Sequence, residues 1–321
     1  MKNKIIEFLD LGMQPLANAF IDQKNLNKKE TKYRLKVCFN KKNYLVSIKN
    51  TFSSSKMFNK TYPYRSSMSK SVTNSFKKLA ENIKKKIKPK LILEIGSNDG
   101  TFMRNFNKKK IIGIEPCKNI EKITKKKKFN SYALYWNDKT TKLFKKKYGE
   151  FDLIFSANTL SHIKNLDNVF KNVYRLLSDD GVLIIEDPSL LECLKTNTYD
   201  QFYNEHIYVF SCIGLNEVLK KNKLEIYNVE KLNIHGGSNR YYIKKITNKK
   251  QIDKSLLIQI LNETKYGLKK QKTYFNFAKR VRNSKQKLRS IFKKINEKNN
   301  KIIGYGATAK STTILNYCDL D

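Results

Sequence analysis

The segment Leu91-Ile-Leu-Glu-Ile-Gly-Ser-Asn-Asp-Gly100 constrains this chain more than any other. An apolar run of strand character enters a turn bounded by Gly96 and Gly100. The alternation then continues. Ile111–Ile114 reads as a second strand and stops at Glu115-Pro116; a helix follows over about 118–126, then a weak strand over about 129–133. Asp152–Ser156 and Val182–Glu186 read as two further strands, separated by a helix carrying Val169, Val173, Leu176 and Leu177. Strands that alternate with helices and are apolar throughout predict an α/β fold with a parallel sheet covered on both faces.

The flanks extend this core. Residues 1–60 carry short alternating stretches such as Tyr33–Val37 and Tyr44–Ile48, the pattern of a small β-rich lobe. Val72, Phe76, Leu79, Ile83 and Ile87 fall at helical spacing between Ser69 and Ile87. A helix is expected after the glycine turn, through Phe102, Met103 and Phe106. Leu224–Val229 and Arg240–Ile246 read as an added antiparallel strand pair, residues 251–298 as one long Lys-rich helical stretch, and 301–304 as a strand that turns into a helix over 308–317. The expected divisions are a lobe at 1–68, a ligand-binding domain at 69–250, a helical connector at 251–300 and the start of another α/β unit at 301–321.

Glycine lets a ligand approach the backbone, and the carboxyl end of the sheet is where open α/β folds bind. Gly96, Asn98 and Gly100 shape the turn. Glu115, at the end of the second strand, suits the two hydroxyls of a ribose. Glu94 and Asp99 add negative charge, which disfavours a pyrophosphate and favours a cationic sulfonium. That points to S-adenosylmethionine over a nicotinamide dinucleotide; the alternative is a tight turn that binds nothing. Asn158 follows the fourth strand at the same edge. His162 stands just beyond it, where it equally suits a helix cap, so the sequence does not make it catalytic.

Charge enters here because it tempts toward nucleic acid. The chain of 321 residues carries 66 Lys and Arg against 28 Asp and Glu, a net +38. Only eight of those cations are arginine, the residue that reads bases, and the lysines lie in dispersed runs such as Lys84–Lys86 and Lys125–Lys128. A solvated basic surface is the expectation, with no specific nucleic-acid partner. Cys38, Cys117, Cys193, Cys212 and Cys318 are isolated, so no disulfide framework is implied. No apolar run is long enough for a membrane span, and the N-terminus lacks a secretory signal, so a cytoplasmic protein without membrane insertion is expected.

Taken with its neighbours, the turn resembles a family. Glu94–Thr101 (EIGSNDGT), Gly113–Pro116 (GIEP) and Ala157–Ile163 (ANTLSHI) are similar to the S-adenosylmethionine-dependent sugar C-methyltransferases, which act on nucleotide-linked keto-sugars. The resemblance continues through LDLGMQPLAN at 9–18, YPYRSSMS at 62–69, YNEH at 203–206 with FS at 210–211, HGGSNR at 235–240, GYGATAK at 304–310 and LNYC at 315–318. These motifs follow one another in order along nearly the whole chain. The resemblance implies a Rossmann-like class I methyltransferase domain with a β-rich N-terminal lobe and the start of a C-terminal Rossmann-like domain, of which the sequence given holds the first unit. It implies deoxysugar or surface-polysaccharide synthesis and a nucleotide-diphospho-sugar substrate. Two departures stand out. The family's lobe binds zinc through two Cys pairs, and here only Cys38 remains, with Lys41 where its partner should be, so no zinc is expected. The family's C-terminal domain also continues well beyond the LNYC helix and helps hold the nucleotide diphosphate. A remnant of the family that binds the cofactor without turnover is therefore the alternative, with an RNA-binding methyltransferase the less favoured one.

Methylation at carbon needs a base to remove a proton alpha to a ketone and donors to hold the enolate oxygen. The resemblance implies that His206 is the base, with Glu205 binding sugar or orienting His206 and Tyr203 in the same motif. Tyr62 or Tyr64 would line the site, with Tyr274 a further candidate, without the sequence showing which points inward. His235, Gly236, Gly237 and Asn239 form a turn that either contacts substrate or closes a plain hairpin.

Overall fold

The computed structural model describes residues 4–306 and 308–320; residues 1–3, Ala307 of the closing glycine turn and Asp321 lie outside the described residues. Strands β1 (Ile5–Pro15), β2 (Lys32–Asn40) and β3 (Val46–Ile48) open the chain. Helices α1 (Ser54–Met57) and α2 (Lys70–Lys86) lead to β4 (Ile92–Ile95), β5 (Ile111–Ile114), α3 (Lys118–Lys126), β6 (Asn130–Tyr132), α4 (Asp138–Tyr148), β7 (Phe151–Ala157), α5 (Leu166–Leu176) and β8 (Leu177–Pro188). Then come α6 (Leu190–Thr196), β9 (Tyr208–Val209), α7 (Cys212–Lys221), the hairpin β10 (Leu224–Leu232) and β11 (Ser238–Lys245), and helices α8 (Lys254–Tyr266), α9 (Gln271–Asn296) and α10 (Ala309–Cys318).

The larger sheet has the order β10-β11-β8-β7-β4-β5-β6. Strands β4 to β8 within it are mutually parallel, and β11 runs antiparallel to both β8 and β10. Successive strand residues point to opposite faces, and the apolar runs supply both. Leu93, Ile154, Leu183 and Ile185 pack under α5 and α7. Their neighbours Ile92, Leu153, Phe155, Val182 and Ile184 pack under α2, against Val72, Phe76, Leu79 and Ile83. Chain order reverses between β4 and β7, which opens a crevice at the carboxyl edge there.

The smaller sheet runs β1-β2-β3-β9. Its core joins Phe8, Leu11, Val37 and Phe39 to Leu190 and Leu194 of α6, Phe277 and Val281 of α9, and Cys318 of α10. Because β9 lies only two residues beyond His206, this pairing fixes the 203–206 segment between the two sheets.

Three expectations change. Among the described residues no α-helix follows the glycine turn; Met103–Asn105 is a single 3-10 turn. The Asn105 amide folds back and donates to the carbonyls of Thr101 at 3.2 Å and Phe102 at 2.9 Å, competing with helix continuation. The 251–298 stretch is two helices, because Gly267 adopts φ +89° and caps α8. Residues 301–306 form no strand: no described strand lies beside them to complete a ladder, and Ile303 and Tyr305 are exposed.

Candidate active site

Two chambers meet at the carboxyl edge of the large sheet. The first occupies about 850 Å³, counting the part open to solvent. Gly96 and Asn98 reach it from the turn after β4, Glu115 from the end of β5, and Asn158 and Thr159 from the end of β7. Leu134, Tyr135 and Trp136 form an apolar side wall, and Phe58, Tyr62 and Tyr64 roof it from the segment after β3. Among the described residues no Lys or Arg lines it, in a chain of net charge +38. Among the described residues its one acidic lining residue is Glu115. One oxygen of that carboxylate accepts the Asn98 N–H at 3.0 Å, and the other accepts the Cys117 N–H at 2.9 Å. Each oxygen keeps a lone pair for a hydroxyl. Burial raises the Glu115 pKa, opposed by those hydrogen bonds.

These features fit S-adenosylmethionine: a carboxylate for a ribose, an apolar wall for a planar base, and no cation to repel a sulfonium. The fit differs from the sequence reading in three places. Glu94, Asp99 and Gly100 do not line the chamber. Asp99 accepts the Thr101 hydroxyl at 2.6 Å, and Gly100 packs on Thr124. Glu94 is buried, and its carboxyl is pushed well above the ordinary range by desolvation, with Asp99 and Glu115 adding to the rise. These acids act behind the turn rather than on its surface. The donors of the turn are also partly used: Gly96 and Ser97 both donate to Ile114 O, and Gly100 to Ser97 O.

The second chamber, about 1170 Å³ by the same measure, is lined by Asn18, Gln201, Tyr203, Glu205, His206, His235 and Lys310. Tyr62, Tyr64, Asn158 and His162 line both chambers and form the wall between them. Both tyrosines of the 62–69 motif therefore face the site.

His206 is buried, and its two ring nitrogens are placed differently. Nδ1 lies 2.9 Å from the Gln201 carbonyl, which can only accept, so Nδ1 carries the proton. Nε2 is then the lone-pair nitrogen, and the Tyr203 hydroxyl donates to it at 2.7 Å. Burial, with His162 and Lys310 nearby, lowers the His206 pKa well below that of free imidazole, which keeps it neutral. Glu205 does not hydrogen-bond His206. It accepts from Asn18 Nδ2 at 2.9 Å and from the Tyr62 hydroxyl at 3.1 Å, and burial pushes its pKa up to about 7.

Of the remaining expected residues, His235 lines the second chamber, while Gly236, Gly237 and Asn239 do not. They close the β10–β11 hairpin. The Gly237 N–H donates to Ile234 O, its carbonyl accepts from Ser189, and the Asn239 amide donates to the Tyr241 hydroxyl at 3.3 Å. Tyr274 is away from both chambers. It lies in the small-sheet core, stacked on Phe39, with its hydroxyl donating to Leu268 O at 2.7 Å.

The sequence reading left His162 open and did not single out two further lining groups, Gln201 and Lys310. His162 packs against His206 with ring centroids 5.0 Å apart and stacks on Phe58. Burial lowers its pKa to about 3. Gln201 holds His206 by its carbonyl, while its amide nitrogen donates to His235 O at 2.5 Å. Lys310, from the first turn of α10, donates to the same His235 carbonyl at 3.0 Å. It is the one cation among the described residues that line this chamber, unless His162, His206 or His235 is protonated. Only the presence of Lys310 in the 304–310 motif hinted at it.

Zinc does not fit the small-sheet lobe. Tetrahedral zinc sites need four ligands; Cys38 is the lobe's only Cys or His and is buried in β2 between Glu7 and Ser47. No group of three or more His, Cys, Asp or Glu among the described residues is placed to hold a metal ion. No described helix is long and apolar enough to cross a membrane.

Comparison with known proteins matches residues 64–229 to the family model for a methyltransferase domain. Residues 233–321 match the model for a C-methyltransferase C-terminal domain, and residues 2–58 match one for a zinc-binding domain. The C-methyltransferase NovU of Streptomyces niveus is 22% identical over 320 residues, covering 98% of this chain and 76% of that protein. Among solved structures, an S-adenosylmethionine-dependent methyltransferase from Clostridium acetobutylicum is 15% identical, with a TM-score of 0.42, over 54% of this chain and 92% of that one. A protein from Pyrococcus horikoshii is 16% identical, with a TM-score of 0.42, over 57% and 94%.

Proposed function

The chain belongs to the S-adenosylmethionine-dependent methyltransferases, whose domain model spans residues 64–229, and we propose that it methylates a carbon of a nucleotide-diphosphate-linked keto-deoxysugar. The observation that carries this reading is the second chamber. A neutral histidine whose open nitrogen is marked by a tyrosine hydroxyl stands there with a carboxyl and a single lysine, across a shared wall from the cation-free chamber. Methylation of oxygen or nitrogen acts on a lone pair. Methylation beside a ketone needs a base and an oxyanion partner together.

S-adenosylmethionine would be held by Glu115, Asn98 and the backbone at Gly96, and when bound would supply an electrophilic methyl group on a sulfonium. The chain's own residues prepare the carbon. The alpha C–H bond breaks and its proton passes to Nε2 of His206, through or beside the Tyr203 hydroxyl. The electron pair left on the sugar becomes an enolate, which would form the new carbon–carbon bond as the methyl carbon's bond to sulfur breaks, that pair staying on sulfur in the departing S-adenosylhomocysteine. Gln201 O keeps Nδ1 protonated, so Nε2 is the nitrogen that accepts. Lys310 has two N–H donors beyond the one on His235 O and lines the same chamber, so we assign it to the enolate oxygen. Glu205, anchored by Asn18 and Tyr62, offers its remaining lone pairs to sugar hydroxyls.

The test is transfer of a labelled methyl group to carbon of a thymidine-diphospho-keto-deoxysugar. His206→Ala should cut transfer by about 100-fold or more and leave binding of S-adenosylhomocysteine intact. Turnover that survives this change overturns the base assignment. Failure of the unaltered protein to bind or methylate nucleotide-linked keto-sugars overturns the substrate class.

A further inference from the structure

The roof over the first chamber is built unlike the rest of the molecule. Residues 49–69 hold one short helix, α1, and one 3-10 turn, and Met57 is the only buried residue within 51–69. The roof is pinned instead by side chains of the large-sheet domain that grip its backbone. The Tyr135 hydroxyl donates to Phe58 O at 2.7 Å, and Asn119 Nδ2 donates to Tyr62 O at 2.8 Å. Asn98 makes two such bonds: Nδ2 donates to Tyr64 O at 3.2 Å, and Oδ1 accepts the Ser66 N–H at 2.8 Å.

Asn98 also belongs to the floor. It sits at φ +47° in the turn after β4, and its N–H donates to Glu115. One residue thus ties the chamber's acidic end to its roof. Between these pins lie Tyr62 and Tyr64, which face both chambers, and the Tyr62 hydroxyl donates to Glu205 of the second chamber. A segment with few buried apolar contacts opens at low free energy. The first chamber lies beneath it, so a ligand entering from that side must displace it.

We propose that residues 54–69 form a strap that opens to admit S-adenosylmethionine, and that Asn98 and Asn119 are positioning residues that close it and so couple the two chambers. A filled first chamber holds Glu115 and the Asn98 turn in place, which draws the strap down and sets Tyr62 on Glu205. Binding in one chamber then favours binding in the other, and the coupling is reciprocal. The link to a sugar substrate rests on the function proposed above; the link between cofactor and strap does not.

The test is hydrogen exchange of the full chain over peptides covering 58–68, with and without S-adenosylhomocysteine, at concentrations where Trp136 fluorescence reports saturation. The unaltered protein should show at least tenfold slower exchange there when the ligand is bound. Asn119→Asp keeps the size of the side chain but replaces the donor to Tyr62 O. It should reduce the slowing to threefold or less, as should Asn119→Ala, while exchange in β4 and β7 stays unchanged. If bulk alone mattered, Asn119→Asp would behave as the unaltered protein does, and that result overturns the proposal. So does strap exchange that is indifferent to bound S-adenosylhomocysteine. Intact strap protection in a protein that methylates no keto-sugar upholds the strap and removes the proposed substrate.

Discussion

Gly96→Ala is the sharpest single perturbation of the first chamber. Gly96 has φ +76°, a left-handed conformation that costs an L-residue about 1–2 kcal/mol. A Cβ there would lie 2.1 Å from Thr159 Oγ1 and 2.7 Å from its Cγ2. Turning the Thr159 side chain does not clear the space, because its own Cβ would be 2.8 Å away. Moving Thr159 would also strain the bond from its hydroxyl to Ala157 O at 3.0 Å. Overpacking of this kind costs about 1–3 kcal/mol, and the hydrogen bond about 1 kcal/mol. The expected loss is about 3–6 kcal/mol of stability, with a chamber distorted where Gly96 and Thr159 both line it. Urea denaturation followed through Trp136, the only tryptophan, measures the first quantity, and quenching of the same residue by S-adenosylhomocysteine measures the second. Gly96→Ala/Thr159→Gly removes the clash but not the backbone strain, so it should recover part of the loss. A single variant within about 1 kcal/mol of the parent, or a double variant no more stable than the single one, refutes the steric argument.

Glu205 gives a pH signature. Its carboxyl, at about 7 in the fold against 4.5 for a free glutamate, binds its proton more tightly folded than unfolded. Stability from this group is therefore full below about pH 4.5 and falls as pH rises toward 7; denaturation of Glu205→Gln against the parent should show the parent losing about 2–3 kcal/mol relative to the variant between pH 5 and pH 8. A flat difference would show that the carboxyl is not held up by burial. Tyr274→Phe should leave methyl transfer unchanged and cost about 1–2 kcal/mol by freeing the buried Leu268 carbonyl, checked by paired activity and denaturation measurements. A metal chelator should shift neither the melting temperature nor activity, and elemental analysis should find less than stoichiometric zinc in the purified protein.

Much of the fold was legible because strand apolarity and turn chemistry are local. Ile92–Ile95, Ile111–Ile114 and Phe151–Ala157 lie where their apolar runs place them, since a strand buried on both faces admits little else. Asn105 and Gly267 show where local reading stops. Each ends or prevents a helix by a backbone interaction that hydrophobic spacing does not encode. At the site, His206 and Glu115 could be named from motif and position. Tyr274 could not be sorted from Tyr62 and Tyr64, because a tyrosine in a core and a tyrosine in a pocket have the same sequence pattern; what differs is whether the hydroxyl meets a turn carbonyl or a cavity.

The sequence by itself determined the chemistry on offer: a glycine turn, an acid at the end of the next strand, and a Tyr-Asn-Glu-His segment, all in an α/β frame. Tertiary structure decided which of these groups share a space. It set Glu94 and Asp99 behind the turn, gave Glu205 to Asn18 and Tyr62 instead of His206, and brought His162 and Lys310 to the chamber from positions 44 residues before and 104 residues after His206. The physical reason is range. Strand and turn preferences act over a few neighbouring residues, whereas hydrogen bonds, burial and the absence of lysine from the described lining of the first chamber depend on contacts between segments far apart in the chain.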